Sequence, residues 1–312
     1  MTSPAPRVVI LATGGTIAGA AASATDNVGY RAGQVGVEQL IAAVPALSAH
    51  RLEAEQVAQV DSSDMGETVW RALVARCEHH LQRADVQGLV ITHGTDTLEE
   101  TAWLLQRMLA PAKPVVLTAA MRPATSLAAD GPQNLLDAVT VAQVQGAHGV
   151  VACVAGRVLS ATDVQKVHSY RTDAFDAPDA SPVARVVEGR VTVLRPWPQS
   201  DRASWPEGRA WPWVEIVTSH ALARRDGIDA WVATGVQGLV VAGTGNGTVH
   251  EALRGALVDA EHRGVAIALA SRCAAGPVLA GHRAGWRVYP GLNAVKSRVE
   301  LGLELLGSAP QR

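Results

Sequence analysis

Val8-Val9-Ile10-Leu11-Ala12-Thr13-Gly14-Gly15-Thr16-Ile17-Ala18-Gly19 runs an apolar stretch straight into a glycine-rich bend, and Gly88-Leu89-Val90-Ile91-Thr92-His93-Gly94-Thr95-Asp96-Thr97 does the same further on. Five β-prone residues ending in small hydroxyl residues describe the C-terminal end of a parallel strand, where α/β folds gather their ligands. Each bend is a place for a nucleophile.

Outward from these two runs, strands and helices alternate. A helix is expected over Gly36 to Val44 and another over Met65 to Arg83, then helix Leu98 to Leu109, strand Pro114 to Thr118, helix Gly131 to Gln145 and strand Gly149 to Val154. Short strands separated by helices of ten or more residues indicate βαβ units in a mostly parallel sheet. From Leu194 to Trp213 prolines and tryptophans interrupt the pattern (Arg195-Pro196-Trp197-Pro198, Trp205-Pro206, Trp211-Pro212-Trp213), which reads as a linker with tryptophans packed on a neighbouring surface. A second series follows, with strands Val214 to Val217, Gly238 to Ala242 and Val265 to Ala270, and helices Ala221 to Arg225, Val249 to Arg263 and Asn293 to Leu306. The fold class expected is α/β with two domains: a larger N-terminal one over 1–193 with a mostly parallel sheet, the linker 194–213, and a smaller parallel-sheet domain over 214–312.

Composition narrows the function classes. The 312 residues are 48% hydrophobic, ample for a core. A formal net charge of -2 without a long block of one sign gives no footprint for nucleic acid or an anionic membrane, so the partner expected is a small molecule. Three well-separated cysteines, Cys77, Cys153 and Cys273, suit a reducing compartment better than a disulfide framework. With the first strand starting near Arg7, no room is left for a secretory leader, and the chain reads as cytoplasmic unless it is a processed form.

The first bend is not a nucleotide site, because the dinucleotide fingerprint needs glycine where Thr16 stands and the phosphate loop's Gly-Lys-Ser/Thr ending is absent. Paired glycines let backbone approach a ligand and leave the Thr16 hydroxyl beside exposed amides, although such turns also serve as plain structure. In the second bend Thr95 and Asp96 precede a helix whose first turn carries Glu99 and Glu100; Asp96 or Thr97 would serve equally well as a simple N-cap. Lys166 lies in a polar, irregular stretch and is a base candidate only if buried beside a hydroxyl. Tyr30, in the glycine-bearing segment Asp26 to Gly33, sits on either a lid or an ordinary surface loop. His79 and His80 are helix neighbours that point apart, which excludes zinc spacing.

Five ordered blocks together resemble the bacterial-type L-asparaginase family of homotetrameric amidohydrolases, and the resemblance covers essentially the whole chain. They are Ile10 to Gly19, Gly88 to Thr101, Ala120-Met121-Arg122-Pro123, Asp130-Gly131-Pro132 with Asn134-Leu135, and Gly243-Thr244-Gly245-Asn246-Gly247. By that resemblance Thr16 is the nucleophile, forming a β-aspartyl ester and releasing ammonia. Tyr30 lies against it on a flexible loop, and Thr95, Asp96 and Lys166 form the second catalytic cluster. The resemblance further implies that Ser62 binds the substrate α-carboxylate and Asp96 its α-ammonium, with backbone N–H groups of Thr95 and Ala120 facing the oxyanion. Asn246 reaches the site from a neighbouring subunit of a homotetramer built from dimers, and no cofactor or metal is implied. Two departures bear on selectivity. Ser63 stands where many relatives carry glutamine, and no acidic residue occurs between Arg272 and Tyr289, where members with strong glutaminase activity carry a glutamate. Asparagine is therefore the expected substrate, unless Ser63, His282 or a water replaces the missing contact. The rival readings are a dual asparaginase-glutaminase, a non-catalytic amino-acid-binding protein, and the tRNA-dependent amidotransferase subunit, which carries an extra N-terminal domain.

Overall fold

The computed structural model describes residues 6–279 and 285–308, which divide into two compact units between Arg202 and Ala203. In the first, β1 (Arg7–Gly14), β2 (Leu52–Val60), β3 (Val86–Thr92), β4 (Pro114–Thr118) and β5 (Gly149–Val154) run parallel. They are extended antiparallel by β6 (Arg157–Ser160), β9 (Ala184–Val187) and β10 (Arg190–Val193), giving the eight-stranded order β10-β9-β6-β5-β4-β3-β1-β2. A separate two-stranded ribbon pairs β7 (Gln165–Lys166) with β8 (Phe175–Asp176). The helices are α1 (Val37–Ala42), α2 (Glu67–Leu81), α3 (Leu98–Leu109) and α4 (Gly131–Ala142).

Central strands are apolar on both faces because helices cover both sides of a parallel sheet. Val8, Val9, Ile10 and Leu11 of β1 are fully buried, as are Leu89, Val90 and Ile91 of β3. One face packs α4 through Leu135, Ala138, Val139 and Ala142 against Val90, Val116 and Val151. The second unit holds the parallel sheet β11 (Val214–Thr218), β12 (Gly238–Gly243), β13 (Ala266–Ser271) and β14 (Arg287–Val288), in that order, with α5 (Asp226–Thr234), α6 (Glu251–His262) and α7 (Ala294–Ser308). The two α/β assemblies are those the alternation of elements implies.

Several elements differ from the sequence reading. The helix expected at Ala221 to Arg225 does not form: Leu222 adopts φ 58, which a right-handed helix cannot contain. The helix starts instead at Asp226, where acidic residues complement its N-terminal dipole, and Gly235 ends it at φ 94. Strand β2 escapes notice because it is an edge strand bearing Glu53 and Glu55, whose carboxylates pair with Arg7, Arg83 and Arg76. The tryptophans of 194–213 divide between the units: Trp197 packs on the core of the first, while in the second Trp205 and Trp211 meet edge to face at 4.8 Å. The Trp211 ring also lies on Gly302 of α7, where a Cβ would be 2.9 Å from Cε2.

Candidate active site

Strand β1 leads to β2 on one side and β3 lies on its other side, so the strand order reverses between β1 and β3. A crevice forms at such a switch point, beyond the C-terminal ends of the strands. Both glycine bends emerge there. Gly15, at φ 81 and ψ −174, presses backbone to backbone on Gly94: a Cβ on Gly15 would fall on Gly94 Cα and N and lie 2.8 Å from His93 C. Gly14, at φ 106, is packed as tightly on Val60 of β2, and Gly15 N donates to Val60 O at 2.9 Å. Thr16 and Thr95 are the next residues along from this Gly15–Gly94 contact, and both are buried.

Each threonine hydroxyl has a different partner. Thr16 Oγ1 shares a 2.7 Å hydrogen bond with Tyr30 Oη, and Gly19 makes room for that ring, since a Cβ there would lie 2.8 Å from Tyr30 Cδ2. The loop bearing Tyr30 is closed by the antiparallel bridge Ala20–Arg31 and tied to residues 124–127 by Ala21 N to Thr125 Oγ1, Ala124 N to Gly19 O and Leu127 N to Ala24 O. Thr95 Oγ1 accepts from Lys166 Nζ at 2.9 Å, and the same nitrogen lies 2.6 Å from Asp96 Oδ1. The stretch around Lys166 is thus not irregular: the lysine lies in β7 with its side chain largely buried beside a hydroxyl.

Ser62 lies buried in a 3-10 turn following β2. Its Oγ accepts Asp96 N at 3.1 Å and its carbonyl accepts Thr97 Oγ1 at 2.8 Å. Because a hydroxyl has one donor and two acceptor sites, Ser62 keeps its O–H to offer an anion. Gly94 is required for this approach, since a Cβ there would lie 2.7 Å from Ser62 Cβ. Ser63 is exposed, with its N–H on Asp61 Oδ1 at 3.1 Å. Ala120 is buried just past β4. Thr16, Tyr30, Ser62, Thr95, Asp96 and Lys166 are therefore joined by direct contacts or adjacent turns. Asn246 lies in the second unit, exposed, with Oδ1 accepting Leu279 N at 2.6 Å. His282 lies outside the described residues.

Two buried groups behind the bends add to the site as read from sequence. Glu99, in the first turn of α3, accepts Lys166 N at 3.2 Å and so ties the lysine strand to the turn carrying Thr95. His93 is fully buried with Nδ1 on Gly94 O at 2.7 Å, and desolvation lowers its pKa to about 4, so at neutral pH it is an uncharged donor fixing that carbonyl. The sequence signal for Glu99 was its place in the first helical turn; nothing local announces its reach to residue 166. Among the described residues no cluster of three or more metal-ligating side chains exists, and no helix is long and apolar enough to cross a membrane.

Residues 7–199 match the asparaginase N-terminal family model and residues 213–307 the glutaminase/asparaginase C-terminal domain. The chain belongs to the asparaginase family and is an amidohydrolase. It is 36% identical over 312 residues to L-asparaginase 2 of Escherichia coli (strain K12), covering 96% of this chain and 89% of that protein. Its identity to the glutaminase-asparaginase of Pseudomonas fluorescens biotype A is 37% over 306 residues, covering 94% and 84% respectively. Among solved structures, a probable cytoplasmic L-asparaginase from Campylobacter jejuni superposes with a TM-score of 0.92 at 35% identity, covering 96% of this chain and 95% of that one.

Proposed function

We propose that this chain is an L-asparaginase that hydrolyses L-asparagine to L-aspartate and ammonia through a β-aspartyl ester on Thr16. The observation that carries the reading is the pair of abutting bends, one presenting Thr16 Oγ on Tyr30 and the other Thr95 Oγ on Lys166. Thr16 Oγ attacks the side-chain amide carbon while Tyr30 Oη takes its proton and at the same time passes the phenol's own proton to the departing nitrogen. Ammonia leaves as the C–N bond breaks. Water then adds to the ester, Thr95 and Lys166 relay its proton back to Thr16 Oγ, and aspartate is released. Ser62 Oγ–H faces the substrate carboxylate, Asp96 its ammonium, and the backbone N–H groups of Thr95 and Ala120 the oxyanion. Removing one such donor in another hydrolase costs about 2.7–4 kcal/mol.

Ammonia release from L-asparagine by the purified protein, with mass spectrometry for an acylated Thr16, tests this. Thr16→Ala should lower kcat by at least about 10³-fold, as removal of one member of a catalytic unit does. Retained turnover in that variant would refute the mechanism, and an inactive wild type would favour a binding protein. The second reading is a dual asparaginase-glutaminase, favoured by the Pseudomonas relative's name. Against it stands the absence of an acidic residue from Arg272 to Tyr289. We therefore expect kcat/KM on L-glutamine to be lower by roughly two orders of magnitude or more, since a methylene misfit and a missing charged contact act together. Comparable values for the two amides would establish the dual reading. The same proposal makes the enzyme a homotetramer whose sites take Asn246 from a partner subunit, which an active monomer in light scattering would refute. It also assigns the enzyme to the cytoplasm, in keeping with the unpaired Cys77, Cys153 and Cys273, and cell fractionation tests that.

A further inference from the structure

The Asp130-Gly131-Pro132 block has no part in the chemistry above, yet it grips the segment that follows β4. Both Asp130 carboxylate oxygens accept consecutive backbone N–H groups, Met121 N on Oδ2 and Arg122 N on Oδ1, each at 3.0 Å. Asn134, buried one turn into α4, donates from Nδ2 to Ala119 O at 2.9 Å and to Asp130 Oδ2 at 3.4 Å. Its Oδ1 accepts Ala155 N at 3.0 Å, anchoring it to the β5–β6 turn. Residues 119, 121 and 122 are thus each held by a side chain from the start of α4, and Ala120 is fixed between them.

Gly131 brings the same helix end against the other side of the site. A Cβ there would lie 2.9 Å from Ile17 Cγ1 and 3.4 Å from Ala120 Cβ, so α4 begins in contact with both Ala120 and the residue after Thr16. Burial raises the Asp130 carboxyl pKa while its two backbone donors lower it, as expected of a carboxylate taken out of water to hold backbone.

We propose that Asp130, Gly131 and Asn134 form a positioning clamp that sets the Ala120 backbone at a fixed distance from Thr16, and thereby controls kcat rather than substrate affinity. The clamp rests on the roles of Thr16 and Ala120 proposed above. It acts on the reacting amide and leaves Ser62 and Asp96, which hold the substrate head group, untouched.

Steady-state ammonia release from L-asparagine by the full-length wild type, Asp130→Asn and Gly131→Ala, with thermal unfolding of each, tests it. Asparagine at 130 keeps one acceptor but turns an amide N–H₂ toward a backbone N–H. We expect kcat to fall about 10- to 100-fold, the cost of a misplacement near 1 Å, with KM within about threefold. Gly131→Ala breaks no hydrogen bond and presses on Ile17 and, less closely, on Ala120, shifting the residue next to Thr16 relative to the clamped backbone, so kcat should fall about fivefold or more with Tm within about 5 °C. That loss cannot come from an unfolded chain. A wild type that releases no ammonia overturns the hydrolase reading and the clamp with it. An active wild type whose two variants keep kcat within about twofold, or lose only affinity, overturns the clamp alone.

Discussion

Alanine at position 15 should separate the two threonine bends, and the size of the effect follows from two backbone facts. Gly15 sits at φ 81 and ψ −174, a region that only glycine occupies comfortably and that costs another residue about 1–3 kcal/mol. Its Cβ would land on Gly94 Cα and N and 2.8 Å from His93 C, none of which is a side chain that can rotate away. Overpacking of that kind costs about 1–3 kcal/mol. The loss of about 2–6 kcal/mol is a large share of the roughly 5–15 kcal/mol that ordinarily stabilises a domain. In a unit of this size it should lower Tm by roughly 5–20 °C. At temperatures where the variant is still folded, relief of the clash moves Thr16 away from Thr95, and kcat should drop by about 10²-fold or more. Calorimetry and an ammonia assay read the two effects independently. A Gly15→Ala protein with wild-type Tm and kcat would show that the Gly15–Gly94 contact does not hold the bends together.

Gly255, within α6, gives the opposite result, because a Cβ added there would meet nothing within 4 Å: Gly255→Ala should raise stability by about 0.5–1 kcal/mol with kcat unchanged, checked by urea unfolding. Tyr30→Phe removes only the oxygen that meets Thr16 Oγ1, so kcat should fall by about 10²-fold with stability within about 1 kcal/mol; an unchanged kcat would remove Tyr30 from the proton path. His93 is held neutral with its pKa lowered from 6.5 to about 4, so the unfolded chain binds a proton that the folded chain refuses. Its contribution is complete above pH 6.5 and is lost as pH falls toward 4, by on the order of 3 kcal/mol. Buried Asp130 and Asp137, whose pKa values are raised, act in the opposite sense, so the comparison is with His93→Asn, whose stability should fall less steeply over that interval. Parallel slopes for the two proteins would refute this account of His93.

What the sequence revealed and what it hid follow from where each element finds its partners. β1, β3, β4 and β5 are legible because both faces are buried, which forces an uninterrupted apolar run. β2 has an exposed edge, and its Glu53 and Glu55 are satisfied by arginines from β1 and α2 and from just beyond α2, so local patterning gives no strand signal. The hairpins β5–β6 and β9–β10 turn through Ala155-Gly156 and Glu188-Gly189, all four at positive φ, and a glycine in each pair was the available hint.

For the site the division is between local and distant partners. A threonine after paired glycines at a strand end is a local statement, and Thr16 and Thr95 could be singled out from their own neighbourhoods. Lys166 meets Thr95 across 71 residues, and while its own neighbourhood offered it as a base only on condition of burial, the pairing with Thr95 was pointed to by resemblance to a family alone. The same holds for Asp130, whose carboxylate was visible as part of a motif while its hold on Met121 and Arg122 was not. Every one of Thr16, Ser62, Thr95 and Ala120 stands just past the end of a parallel strand, so each sequence segment alone specifies only a turn. It is the position of β1 between β2 and β3 that brings three of those turns into one crevice, and that order is set by long-range pairing such as Val9 with both Glu53 and Leu89. A substitution that weakens this pairing would therefore damage the site without touching any residue in it.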